Sequence, residues 1–232
     1  MTMTDQQRAT GSVATFGSGG AEPYAEALRR NDSVELILER TTGSDASSLM
    51  MDVARWNSEA DHVDLTLLRS ATGPLLDIGC GPGRMVQAAL DVGLEVLGID
   101  VSPTAIAIAR ESGLPVELCS VFEPVQGEGA WQTVLLVDGN IGIGGDVPAL
   151  LQRCMELVAL DGEIVVELHA DRDMNSIYTG RLVGADGGQS ESFPWAQIGL
   201  NAMVEVADEL DLRVRQAWEL GGRTFCRLAR TR

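Results

Sequence analysis

The chain contains no lysine. All 17 of its basic residues are arginine, set against 34 acids, for a net charge of −17. Without lysine there is no Schiff-base nucleophile, no phosphate-gripping lysine of the P-loop kind and no kinase lysine. Histidine is almost as scarce, with only His62 and His169. The four cysteines, Cys80, Cys119, Cys154 and Cys226, are far apart and form no CxxC pair. Both facts argue against a Cys/His zinc site and against a disulfide framework, so no metal is expected and a reducing compartment fits. No apolar run approaches 18 residues, and no basic-then-apolar leader opens the chain, so the expectation is a cytoplasmic protein. The acid excess repels phosphate backbones and anionic lipid, which disfavours nucleic acid and membranes as partners.

What is present suits one decorated α/β domain. The chain has 232 residues, 45% of them apolar, enough for a sizeable core. Residues 1–20 are small and polar and predict a disordered tail. The 21–70 segment predicts short helices and a candidate β-hairpin that would cover an active site. "VELILER" reads as one strand, "LMMDVARW" as its return, and 59–70 as a helix. From Pro74 a βαβα rhythm begins, with strands at "LLDI", "EVLGID", "VELCS", "TVLLVD" and "EIVVEL". The intervening helices are expected at 84–92, after the Ser102 cap and at 146–160. Near-continuous apolar strands alternating with helices mean a doubly wound, mostly parallel sheet with helices on both faces. Residues 169–198 look irregular and polar. A helix at 200–210 follows, then a hairpin of "LRVRQAWEL" and "RTFCRLAR" around Gly221-Gly222 that closes a seven-stranded sheet. Domain organisation is thus read as tail, cover and a 71–232 ligand-binding domain carrying a 169–198 insertion.

The chemistry concentrates in "LLDIGCGPGR". Gly79, Gly81 and Gly83 follow the first strand of the α/β rhythm, where an open parallel sheet binds ligands and the next helix aims its N–H groups. A dinucleotide site wants G-x-G-x-x-G. Here the spacing is G-x-G-x-G, and Asp77 precedes it, where it would repel a pyrophosphate. Asp100, ending the next strand, suits both hydroxyls of a ribose. The pattern calls for a phosphate-free nucleoside that carries an amine.

With these residues in view, "LLDIGCGPGR" and "GLEVLGIDVS" resemble the class I S-adenosylmethionine-dependent methyltransferases, strongly over 70–168 and weakly at the closing hairpin. The resemblance implies S-adenosylmethionine as cofactor. It implies that Asp77 approaches the methionine amine and that the 79–83 loop, Cys80 included, passes under methionine and ribose. Asp100 would hold the ribose and Val101 would pack on adenine. Ser120 stands where the family usually has an acid for the adenine amine, with Val121 and Phe122 at the ring edge. Asp138 and Asn140 would border the transferred methyl.

The acceptor side is less patterned. Methyl transfer is an in-line displacement helped by alignment and dryness, with a base useful for hydroxyl acceptors. His169, after "VVEL", is the best base candidate, with Asp138 and Asn140 as orienting groups. Trp56, Tyr178 and Trp195 are candidate acceptor contacts, along with Asn140 and His169. The absence of a D/N-P-P-Y/F motif after the fourth strand speaks against DNA-amine methylation. The sequence reading is methyl transfer to oxygen or nitrogen of a small molecule. The competing readings are a non-catalytic protein that binds S-adenosylmethionine or another nucleoside and, ranked lower for want of a Tyr-x-x-x-Lys pair, an NAD(P)-dependent oxidoreductase. Nothing in the sequence selects an oligomeric state.

Overall fold

The computed structural model describes residues 14–18, 22–30, 36–42 and 48–231. Helix α1 (Pro23–Arg30) buries Tyr24, Ala27 and Leu28. Strand β1 (Leu36–Arg40) pairs antiparallel with β2 (Ser48–Met51). The expected return strand through Trp56 stops early, because Asp52 accepts the Arg55 N–H at 3.0 Å and caps helix α2 (Val53–Trp56). Helix α3 (His62–Arg69) opens on a reciprocal capping box between Asp61 and Asp64.

The α/β rhythm then runs as β3 (Leu75–Ile78), α4 (Arg84–Asp91), β4 (Val96–Asp100), α5 (Pro103–Glu111), β5 (Val116–Leu118) and β6 (Trp131–Leu136). A 3₁₀ segment (Asn140–Gly145), α6 (Val147–Leu157) and β7 (Val158–Leu168) follow. The helix expected over 146–160 ends at Leu157, and β7 begins at once and carries a bulge near its start. Trp131 opposes Val158 and Thr133 opposes Glu163, so residues between them, among them Leu160 at 84% exposure, loop out of the ladder.

The remaining elements are β8 (Asn175–Gly184), β9 (Phe193–Ile198), α7 (Leu200–Glu209), β10 (Leu212–Leu220) and β11 (Arg223–Arg230). The central sheet has the order β10-β11-β7-β6-β3-β4-β5, parallel from β7 to β5 and closed by the antiparallel β10–β11 hairpin. This is the fold class expected from the sequence. The strand order runs outward from β3 through β4 to β5, then returns to β6 on the other side of β3. That reversal opens a crevice at the carboxyl ends of β3 and β6.

The 169–198 segment departs from its expected irregularity. It forms β8 and β9, which join β1 and β2 in a second, wholly antiparallel sheet of order β2-β1-β8-β9. In β8, Tyr178, Gly180 and Leu182 are buried and alternate with less buried Thr179 and Arg181. One inward position is a glycine and an outward one, Ile177, is 69% exposed, so the strand shows no apolar alternation in the sequence. Gly180 is needed where it stands, since a Cβ there would lie 2.8 Å from Leu38 Cδ1 on β1.

Two apolar clusters fill the faces of the central sheet, and a third joins the small sheet to α1. Phe193, 1% exposed, is one of the largest side chains of this third cluster. Phe16 packs against it as well, with ring centroids 5.1 Å from Tyr24, 5.5 Å from Phe193 and 5.4 Å from Trp195. This part of the expected tail is therefore packed, while residues 1–13 and 19–20 lie outside the described residues. Phe193→Ala is expected to destabilise the protein by about 3–5 kcal/mol, measured as a lower urea midpoint with an unchanged slope.

Candidate functional site

A cavity lies at the crevice, roofed by the small sheet and the N-terminal elements. Its floor is the β3–α4 loop. The Gly79 and Cys80 N–H groups donate to the Ile99 carbonyl at 2.8 and 3.0 Å. The Gly81 N–H donates to Asp100 Oδ2 at 2.8 Å. Gly79 has φ +72°, and a Cβ there would sit 2.7 Å from the Asn140 amide. Gly83 serves packing instead of lining: with φ +98°, its missing Cβ leaves room for Leu114.

Asp77 is the most unusual group in the cavity. Its side chain is buried and neither carboxyl oxygen has a hydrogen-bond partner. Burial, resisted by the nearby Arg84 and reinforced by Asp138, Asp100 and Asp64, pushes its pKa from 3.8 up to about 7. A buried, unpartnered carboxyl on a cavity wall is costly unless a donor arrives. It therefore fits an amine-bearing ligand. Asp100 is better satisfied, accepting from Gly81 and from the Ser102 N–H at 2.7 Å. Burial still raises its pKa, with those N–H groups opposing the rise.

Beyond Asp100 the lining continues through Val101, Cys119, Ser120, Val121 and Phe122. Ser120 Oγ accepts from the Phe122 N–H at 3.3 Å. Arg153, which sequence reasoning missed, fixes this turn by donating to the carbonyls of Val121 and Glu123, each at 2.8 Å. On the other side of β3, Asn140 lines the cavity, but its amide nitrogen donates to the Ile78 and Gly79 carbonyls at 2.9 and 3.0 Å. It braces the glycine loop.

Asp138 follows β6 with φ +54° and belongs to an ion-pair network behind the cavity. Arg84 bridges Asp138 and the wholly buried Asp64. Arg223 reaches Asp64 at 2.7 Å and Glu167 at 2.6 Å, and Arg55 reaches Asp61 at 2.6 Å and Asp64 at 3.1 Å. The Asp138 N–H donates to Glu167 at 2.7 Å. Only Asp138 among these seven residues was singled out from sequence, although Arg84 ends the "LLDIGCGPGR" motif itself.

Trp56 and Trp195 line the cavity together with Phe16, Tyr24 and Met51, which the sequence did not single out. Trp195 lies flush against Gly142, where a Cβ would collide with its indole. His169 and Tyr178 are not among the lining residues. His169 Nδ1 accepts the Asp171 N–H at 3.1 Å and the His169 backbone N–H donates to the Ile198 carbonyl, so the residue braces the β7–β8 connection. Tyr178 is buried in the small sheet under the Arg40 guanidinium, 4.1 Å from the ring centroid. Among the described residues no group of three His, Cys, Asp or Glu side chains is placed to hold a metal ion. Nor is any helix there long and apolar enough to cross a membrane.

Residues 75–162 match the family model described as "Methyltransferase domain". Over 97 residues the chain is 36% identical to a ubiquinone biosynthesis O-methyltransferase of Rhodopseudomonas palustris (strain HaA2), covering 40% of this chain and 38% of that protein. A putative methyltransferase of Geobacillus sp. (strain WCH70) is 23% identical over 63% of this chain and 62% of its own length. The chain thus spans less than two thirds of the length of these curated relatives. In fold it is similar to a SAM-dependent methyltransferase from Bacteroides fragilis solved with S-adenosyl-L-homocysteine, with a TM-score of 0.78, 19% identity and coverage of 95% of this chain and 98% of that one. It is also similar to a glycopeptide N-methyltransferase solved with S-adenosylmethionine, with a TM-score of 0.54, 14% identity and coverage of 72% and 94%.

The Asp77 geometry has a consequence for stability. Between about pH 4 and 7 the folded state keeps a proton on Asp77 that the unfolded chain has lost, so this group's contribution to stability falls as pH rises through that window. Asp77→Asn should flatten that part of the profile, raising stability at pH 8 relative to pH 5 in paired urea titrations of the ligand-free protein.

Proposed function

We propose that this chain, whose residues 75–162 match a methyltransferase-domain family model, transfers the methyl group of S-adenosylmethionine to oxygen or nitrogen of a small-molecule acceptor. The observation that carries this reading is the buried, unpartnered Asp77 carboxyl beside a glycine loop tied to Asp100. When bound, S-adenosylmethionine supplies a methyl group already activated by the sulfonium charge. Asp77 would take the methionine amine and Asp100 the ribose hydroxyls. Val101, Ser120, Val121 and Phe122 would border the adenine.

The rest of the chain orients and dries. Asn140 and Arg84 keep the loop and Asp138 in position, and the aromatic roof excludes water from the reacting centre. Asp138 and Asn140 are positioning residues in this reading, since their polar atoms already serve the loop and the network. His169 has no part in it. The net charge of −17 and the absence of a basic groove in the sequence favour a small molecule over nucleic acid. Four buried, unpaired cysteines favour the cytoplasm.

Calorimetry with S-adenosylmethionine and with NADH tests the reading. S-adenosylmethionine should bind and NADH should not, and the opposite result would replace the methyltransferase with an oxidoreductase. Asp100→Ala should weaken S-adenosylmethionine at least tenfold, while His169→Ala should leave both its affinity and the methylation rate within twofold of the native values.

A further inference from the structure

Five aromatic rings line the cavity, and four of them, Phe16, Tyr24, Trp56 and Trp195, come from outside the 75–162 domain. These four form one connected group. Phe16 lies edge-on to Tyr24 and Trp56 and tilted on Trp195, and Tyr24 lies edge-on to Trp56 at 5.7 Å. Aromatic walls accept flat apolar bodies, and ring faces carry negative potential that attracts cations.

The charges point the same way. Among the described residues that line the cavity, Arg84 is the one cationic side chain, and it is 4% exposed and committed to Asp64 and Asp138. The chain has no lysine, and neither histidine lines the cavity. No side-chain cation among the described lining residues is therefore free to receive a carboxylate, phosphate or phenolate. The network behind the wall sets three guanidiniums, on Arg55, Arg84 and Arg223, against four carboxylates, on Asp61, Asp64, Asp138 and Glu167. The surplus is negative, and Asp138, its member on the cavity wall, keeps 20% of its side chain exposed. The lining also offers a poor base for a hydroxyl acceptor. Burial raises Tyr24 and the Cys80 and Cys119 thiols, which stay protonated, Asp100 is occupied by two N–H groups, and Asp138 is held in ion pairs with Arg84, Arg55 and Arg223. Asp77 is reserved for the methionine amine.

Resting on the methyltransferase reading above, we infer that the acceptor is a flat, apolar amine, seated among Phe16, Tyr24, Trp56 and Trp195 and methylated at nitrogen. The amine enters as its free base, having left its proton in water. Its lone pair forms the new N–CH₃ bond as the S–CH₃ bond breaks, and that electron pair stays on sulfur. Sulfonium becomes a neutral thioether, and nitrogen becomes a substituted ammonium. The positive charge moves within a field that the rings and Asp138 keep negative throughout, and no proton has to be removed during the displacement.

The test uses the full chain saturated with S-adenosyl-L-homocysteine. Three probes of one shape are titrated by calorimetry: naphthalen-2-ylmethanamine, naphthalen-2-ol and naphthalene-2-carboxylate. The amine should bind at least tenfold tighter than either of the others, and with labelled S-adenosylmethionine it alone should gain the label. Trp56→Leu should weaken the amine at least tenfold with S-adenosyl-L-homocysteine affinity kept within twofold, which also reports that the variant is folded. Equal or tighter binding of the naphthol or the carboxylate overturns the inference and leaves the methyltransferase reading standing. No saturable amine binding at millimolar concentration, or amine binding unmoved by Trp56→Leu, does the same. Failure of S-adenosyl-L-homocysteine itself to bind overturns the reading, and this inference with it.

Discussion

A guanidinium with almost no contact with water holds this site together. Arg84, 4% exposed, is pinned between the fully buried Asp64 and Asp138. Removing ions from water is expensive, and such a cluster persists only when every partner is met. Here it is met from five directions: α2 through Arg55, α3 through Asp64, the start of α4 through Arg84, the end of β6 through Asp138, and β11 through Arg223, which also binds Glu167 on β7. The network ties the N-terminal cover to the central sheet. It also sits close enough to Asp77 that Arg84 tempers the rise in that carboxyl's pKa while Asp64 and Asp138 reinforce it. The cavity's shape and its electrostatics share one cause.

Around that centre the labour divides cleanly. The glycine loop and Asp100 belong to the parallel half of the sheet, where backbone N–H groups and strand ends make a ligand floor almost automatically. The rings that roof it come from α1, α2, β9 and the short stretch around Phe16. Each is held by ring–ring contact, by the β8–β9 pairing or by the Arg55 ion pairs. The floor thus belongs to the parallel sheet, and the roof to the elements that flank it in sequence.

That division explains what could be read from the residues alone. The β3–α4 loop, the Ser102 cap and the closing hairpin are local events, written within a few consecutive positions, and they occur where the sequence predicts them. The small sheet was hidden because β8 pairs with a strand about 140 positions earlier, and because Gly180 and the outward Ile177 break its apolar alternation. The ion-pair network was hidden for a similar reason. Asp64 and Arg223 are 159 positions apart, and neither sits in a recognisable motif. His169 looked promising because it ends a core strand, yet the backbone just after it turns so that Asp171 claims its ring nitrogen. Position along a strand was legible, whereas side-chain direction at its end was not.

The orphaned Asp77 carboxyl links stability to binding. With burial pushing its pKa up to about 7, Asp77 changes its protonation in the neutral range. An ammonium arriving beside it favours the ionised form. Binding must therefore release part of a proton, and affinity for such a ligand rises with pH until Asp77 is fully ionised. The same burial that makes the empty site less stable at high pH makes the filled site a stronger trap for a cation. A more comfortable residue at position 77 would give a sturdier protein and a weaker floor, an exchange expected where a fold spends stability on a ligand site.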